Sequence, residues 1–178
     1  LPVVIVQLPG YDGMPDRPGP SGWSDIREAQ RRVAVNDPKT GLAVTIDAGD
    51  RTDIHPPNKQ LVVQRILSVL GILTGQGQGF EDGIAPTRAV RHGSRISLEM
   101  PTDDLKTIGS ARPIAFELCG ESGACEWADA TLNGAMIDLV VPLHGTPSEI
   151  RYCWGDAPIC NLFSGDDVPV SPFRMGLE

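Results

Sequence analysis

An α/β layer followed by an antiparallel, sandwich-like β-rich module is the fold class that the sequence predicts. Three observations predict it. Two apolar runs, PVVIVQL and GLAVTI, are each followed by a stretch of helical pattern, the βαβ signature of a parallel layer. Beyond residue 88 the apolar residues come instead in short alternating runs separated by turn residues. Asn133-Gly134 lies between two of those runs and is a strong hairpin signal. The expected division is 1–88 for the α/β part and 89–178 for the β-rich part.

Residues 2–8 form a continuous apolar run, as expected of a parallel strand covered on both faces. A Gly/Pro-rich loop, 9–22, follows, and a loop in that position is where substrate selection would reside. SDIREAQRRV, 24–33, reads as a helix with Ser24 as N-cap and Asp25 in its first turn. Trp23, just before that cap, is placed to staple onto Ile26 or the stem of Glu28. NDPKTG is a turn, and GLAVTI, 41–46, is the second buried strand. From Pro57 onward Val62, Ile66, Val69, Leu70 and Leu73 define one helical face. Pro56 and Pro57 are tolerated at such a helix start. Two strands do not complete a parallel sheet, so further strands are expected from elsewhere. With an apolar strand beginning at once, and neither initiator Met nor signal peptide, the chain reads as a fragment or a processed piece.

TGQGQGFEDG, 74–83, breaks the helical pattern and reads as a linker. After it SRISLEM, RPIAFEL, EWADATL, AMIDLVVPL and EIRYCWG read as antiparallel strands, with Trp127 and Trp154 in their core. No helical period and no internal repeat occurs in this half.

A chain of 178 residues with 40% hydrophobic and 21% charged residues has the composition of one ordinary globular domain or two small ones. A net charge of −8 without any Lys/Arg cluster argues against nucleic acid and anionic membrane as partners. No apolar run approaches the ~20 residues that span a bilayer. The four cysteines fall into two local pairs, Cys119/Cys125 and Cys153/Cys160, and neither has zinc-ribbon spacing. Two short-loop disulfides, suited to an exported protein, are favoured over buried thiols.

Chemistry concentrates in DAGDRTDIHPPNK, 47–59, directly after the second strand. In open α/β sheets functional groups gather beyond the carboxyl ends of the strands. Asp53 and His55 are close enough for the carboxylate to hold one imidazole nitrogen, which frees the other to act as a base. Two other accounts fit the same residues. Acids gather at helix starts because of the helix dipole. Asp47, Asp50 and Asp53 also recur every three residues and offer oxygen ligands to Mg²⁺ or Ca²⁺, although the Gly and final Glu of an EF-hand loop are missing. None of the ten serines sits in G-x-S-x-G. Gly120-Glu121-Ser122-Gly123 reads as a tight turn, His92 as part of a polar linker, and His144 as part of a Pro/Gly turn. A serine hydrolase built on this chain would take its nucleophile from elsewhere.

VVIVQLPGY, W-S-D-I-R-E-A-Q (23–30), G-L-A-V-T-I-D-A-G-D (41–50) and D-I-H-P-P-N-K-Q (53–60) resemble the C-terminal part of the sialate O-acetylesterase family, SGNH-type carbohydrate esterases. The resemblance continues through P-I-A-F-E-L-C-G (113–120), W-A-D-A (127–130), R-Y-C-W-G-D-A-P-I-C-N-L (151–162) and S-P-F-R (171–174). It covers nearly the whole chain with its motifs in order. It implies that 1–88 is the C-terminal part of an SGNH-type parallel-sheet hydrolase domain.

The activity implied is removal of acetyl groups from sugars by a Ser-His-Asp mechanism, with no metal or other cofactor. On the D-I-H-P match His55 is the implied general base and Asp53 its orienting acid, with Asp50 of A-G-D as the other candidate for the acid. The family's Gly-x-Ser-Asn nucleophile block and its Gly and Asn oxyanion donors lie upstream of everything matched. The implied partner is therefore the N-terminal part of the same esterase as a separate chain carrying the serine, without which this chain would be inactive. Gln7, at the end of the first strand, and Trp23, beside the Gly/Pro loop with Tyr11, are the candidate substrate contacts. Periplasmic or secreted localisation is expected. Two alternatives stay open: a noncatalytic carbohydrate-binding or scaffold chain, and a metal-dependent hydrolase using the aspartate cluster. The sugar, sialic acid or a plant cell-wall polysaccharide, also stays open.

Overall fold

Two parallel strands, β1 (Val3–Val6) and β2 (Thr40–Ala43), run side by side, with Val3 opposite Thr40 and Val6 opposite Ala43. In the computed structural model, which describes residues 1–80, 83–142 and 146–177, helices α1 (Gly22–Asn36) and α2 (Lys59–Leu73) pack against this pair. His144 lies outside the described residues.

The local signals place the helices, but the caps move. Ser21, not Ser24, is the N-cap of α1, its Oγ accepting the Ser24 N–H at 3.1 Å. Ser24 sits fully buried in the first turn and its hydroxyl donates to Gly155 O at 3.0 Å. That contact draws Ser24 into the helix and leaves Ser21 to cap it. Trp23 meets Tyr11 edge-on at 5.7 Å between ring centroids, while Ile26 is half exposed and Glu28 is buried. In α2 the cap is Asn58, whose Oδ1 accepts the Leu61 N–H at 3.1 Å. Val69 is buried as expected, but Leu70 is exposed and Arg65 takes an inward position.

β1 departs from the expectation of a strand covered on both faces. Val3 is 50% and Val6 40% exposed, because β1 has a partner strand on one edge only among the described residues.

The β-rich part holds two four-stranded antiparallel sheets. One contains β3 (Arg88–His92), β4 (Arg95–Glu99), β8 (Ala130–Asn133) and β9 (Met136–Val140), in the order β3-β4-β9-β8. The other contains β6 (Phe116–Gly120), β7 (Cys125–Ala128), β10 (Pro147–Tyr152) and β12 (Phe173–Gly176), in the order β12-β10-β6-β7. A short pair, β5 (Leu105–Thr107) and β11 (Leu162–Ser164), lies beside them. The alternation works as period 2 requires: Ile96 faces Leu139 and Leu98 faces Ile137, all four fully buried. Each such side chain contributes about 1.5–3 kcal/mol of apolar burial. Phe116, Tyr152 and Phe173 pack ring to ring in the second sheet. The same buried cluster takes in Leu42, Val44 and Ile46, so the core runs across residue 88. The molecule is thus mixed α/β, with two helices and mostly antiparallel sheet among the described residues.

Asn133-Gly134 forms the expected hairpin: Asn133 pairs with Met136, and Gly134 supplies the left-handed φ of +57°. Gly120–Gly123 is a turn between β6 and β7. Three assignments change. His92 ends strand β3 opposite Arg95 rather than lying in a linker, although it is exposed. Trp154 is buried but follows β10. Trp127 is 43% exposed, because β7 is the edge strand of its sheet.

Candidate active site

Past β2 the chain stays buried through Val44, Thr45 and Ile46 and then emerges at Asp47. The three aspartates that follow have three separate partners. Arg65 reaches over from α2 and clamps Asp47 in a bidentate pair, at 2.5 Å to Oδ1 and 2.7 Å to Oδ2, while Nη1 also donates to Val44 O at 2.9 Å. Asp50 Oδ1 accepts the Thr52 N–H at 2.8 Å and the Thr52 hydroxyl at 2.7 Å. Asp53 Oδ1 accepts the His55 N–H at 2.8 Å and lies 2.9 Å from His55 Nδ1.

The bonds from His55, backbone first and then ring, hold the Asp53 carboxyl below the usual carboxylate range. Those from Thr52 do the same for Asp50. The acid with its oxygen on the imidazole is therefore Asp53, and Asp50 serves the backbone of its own turn. The three carboxylates do not converge as a shared metal-binding group among the described residues, and Arg65 offsets the charge of Asp47.

His55 is 79% exposed, and among the described residues only its Nδ1 edge is hydrogen-bonded, so Nε2 is open to a reactant. The loop carrying it is nonetheless fixed at several points. Gly49 packs so tightly on the Gly10 backbone that a Cβ there would lie 2.1 Å from Gly10 O. The Asp12 N–H donates to Arg51 O at 3.1 Å, joining the Gly/Pro loop to the Asp-His loop. Behind both stands Arg27, fully buried, donating to Leu8 O, Pro9 O, Gly155 O and Asp156 O at 2.5–3.0 Å. Burial lowers its pKa to about 10, so it is still a cation at neutral pH.

Gln7 lies beneath this site, only 1% exposed, with Nε2 3.5 Å from Arg27 O and Ser171 Oγ. Trp23 and Tyr11 stand together at the Gly/Pro loop. Arg27, Arg65 and Gly49 are the structural supports that sequence reasoning missed. Arg27 lies with Ser24 and Glu28 on the inward side of α1, where apolar residues would be expected, but nothing in the sequence says which groups they meet there.

At the base of the Asp-His loop is a cavity of about 300 Å³, bounded on one side by Asp47, Gly49 and Arg51. Its other side is Ile159 and Phe163, the first lying within the loop closed by the Cys153–Cys160 disulfide. Cys119 and Cys125 form the second disulfide.

Fold and site together define a mixed α/β chain with a carboxylate-held histidine beyond the end of a parallel strand. No family model matches the chain, and no curated protein matches it. A solved structure does match: the crystal structure of a novel carbohydrate acetylesterase from Xanthomonas citri, with a TM-score of 0.84 and 29% sequence identity. The match covers 98% of this chain and 41% of that one, so this chain spans about two-fifths of the length of the protein it resembles.

Proposed function

We propose that this chain is the histidine- and aspartate-bearing part of a carbohydrate O-acetylesterase. The observation that carries the reading is the Asp53–His55 pair, with Oδ1 on Nδ1 at 2.9 Å and Nε2 open. Structural likeness to a carbohydrate acetylesterase supports it. So does the sequence resemblance to the sialate O-acetylesterases, which extends the reading to an SGNH-type fold and a Ser-His-Asp mechanism.

In that mechanism His55 Nε2 takes the proton of a serine hydroxyl as its oxygen attacks the acetyl carbonyl carbon. The imidazolium, stabilised by Asp53, returns the proton to the departing sugar oxygen. Water, deprotonated by the same nitrogen, then attacks the acetyl-enzyme, and acetate and free serine result. The serine and the oxyanion donors belong to an N-terminal segment supplied as a separate chain. The half-exposed β1, with one edge unpaired among the described residues, offers the place where further parallel strands would add. No cofactor enters the scheme. Trp23 with Tyr11 is the aromatic wall available to a sugar near the Gly/Pro loop. Two disulfides accord with an exported protein, and no described helix is long and apolar enough to cross a membrane.

The test is acetate release from acetylated sugars by the chain assembled with its serine-bearing segment. A fluorophosphonate is expected to label the serine on the other polypeptide of the parent assembly, and His55→Ala to abolish both that labelling and turnover with an unchanged circular dichroism spectrum. Near-wild-type turnover in that mutant would sink the reading.

A further inference from the structure

The cavity at the base of the Asp-His loop does not end there. A second concavity, of about 440 Å³, lies on the β-rich part between Arg112, Ile114, Trp127 and Asp129. Pro158 and Ile159 line both, so the two form one trough leading away from the Asp-His loop. A second link joins them at the other wall: Arg51 Nη2, from the first, lies 3.2 Å from Met14 Sδ, which lines the second. The shared segment is held by the Cys153–Cys160 disulfide, so the trough has a fixed floor.

Its lining is amphiphilic in a particular way. Ile114, Trp127 and Ile159 are exposed large apolar side chains, in a chain with only 5% aromatic residues. Tryptophan is highly buried on average, so an exposed one on a concave wall is the informative kind of exposure. Between these platforms stand Arg51, Arg112 and Asp129, which give and take hydrogen bonds. A pyranose ring fits this surface well: its C–H face lies on an indole, and its hydroxyls meet guanidinium and carboxylate groups. One sugar would occupy only one of the two concavities.

We infer that the trough is an oligosaccharide-binding groove, which makes the ligand a chain of sugars and not a single one. Its direction rests on the acetylesterase reading: the acetylated unit lies at the end bounded by Asp47, Gly49 and Arg51, from which the chain runs on to His55, and the following units pass over Pro158 and Ile159 to Trp127. Binding itself does not depend on that reading.

The whole chain, ¹⁵N-labelled, is titrated with β-1,4-linked hexaoses of glucose, xylose and mannose and with the three monosaccharides. At least one hexaose is expected to shift the amides of Arg112, Ile114, Ala115, Phe116, 127–130, Ala157 and Ile159, and its monosaccharide to bind at least about tenfold more weakly. Trp127→Ala should lose about tenfold in affinity, the scale of one aromatic contact, while Trp127→Phe recovers part of it. No binding by any hexaose, equal affinity for monosaccharide and hexaose, or full affinity in Trp127→Ala would overturn the groove. Hexaose binding without acetate release from the assembled protein would leave the groove standing and remove the esterase. Acetate release without a groove would do the reverse.

Discussion

Asp53 spends a single oxygen on one neighbour twice: Oδ1 accepts the His55 backbone N–H at 2.8 Å and meets the ring Nδ1 at 2.9 Å. The backbone bond fixes where the imidazole starts, and the ring bond fixes which tautomer it holds. A two-residue spacing is enough for both, so the pair forms without help from the rest of the molecule. Asp53→Asn removes the anion that stabilises the imidazolium and can reverse the tautomer. In the assembled esterase it is expected to lower kcat on the order of 10³-fold or more, with little change in KM. Asp50→Asn, which only loosens the turn at Thr52, is expected to stay within about threefold. Steady-state acetate release on the two mutants decides between the acids; the opposite ranking would make Asp50 the orienting group.

Gly49→Ala tests how firmly the loop is seated. The atoms that a Cβ would strike are Gly10 O at 2.1 Å, Gly10 N at 2.9 Å and the ring Cβ of Pro9 at 2.9 Å, none of them the free end of a flexible side chain. Overpacking of this kind costs about 1–3 kcal/mol. Thermal unfolding should fall by about 2–4 °C per kcal/mol in a chain of this size. An unchanged Tm would mean that the two loops are not in backbone contact in solution.

What was readable in the sequence was whatever is local. The Asp-x-His pair, the Asn133-Gly134 hairpin, and the alternation at Ile96, Leu98, Ile137 and Leu139 depend on neighbours within a few residues or on a simple period. The cap falls at Ser21 and not at the expected Ser24 because Ser24 bonds with Gly155, 131 residues away, a contact that local sequence does not encode. Arg27 and Arg65 were invisible for the same reason: their acceptors, Gly155 and Asp47, lie 128 and 18 residues distant. Trp127 was misplaced because edge or centre of a sheet follows from strand order, which period 2 does not encode. His92 was assigned to a linker because β3, also an edge strand, is largely exposed and lacks a clean apolar face.

Arg65 and Asp47 give an asymmetric prediction. Arg65 is 7% exposed at its side chain and Asp47 25%, so the cation is the more desolvated partner. Asp47→Asn leaves that cation buried with weaker acceptors and is expected to cost about 3 kcal/mol. Arg65→Met leaves a carboxylate that water still reaches and should cost less, about 1–2 kcal/mol. The double mutant should cost less than the sum of the two. Urea unfolding of all four proteins measures it; additive effects would mean that the pair is not coupled.

Glu117 makes stability depend on pH. It is fully buried in the second sheet, neither carboxyl oxygen has a hydrogen-bond partner among the described residues, and burial pushes its pKa up to about 7. Arg151, opposite on β10, opposes that shift, but its Nε donates to Glu149 at 2.6 Å, and the Glu149 charge adds to the rise. The ordinary carboxyl value in the unfolded chain is 4.5. Between 4.5 and about 7 the folded protein therefore keeps a proton that the unfolded chain has released. Folding is favoured fully below the lower value, and the contribution is lost as pH rises to the upper one, a change of roughly 3 kcal/mol. Glu117→Gln carries no such proton. Its stability relative to the parent should rise across that window, level off above it, and leave the mutant the more stable protein at pH 8. Urea unfolding at pH 4.5, 6 and 8 reads the difference directly. A parent-minus-mutant difference that does not change with pH would mean that Glu117 is solvated or paired in solution.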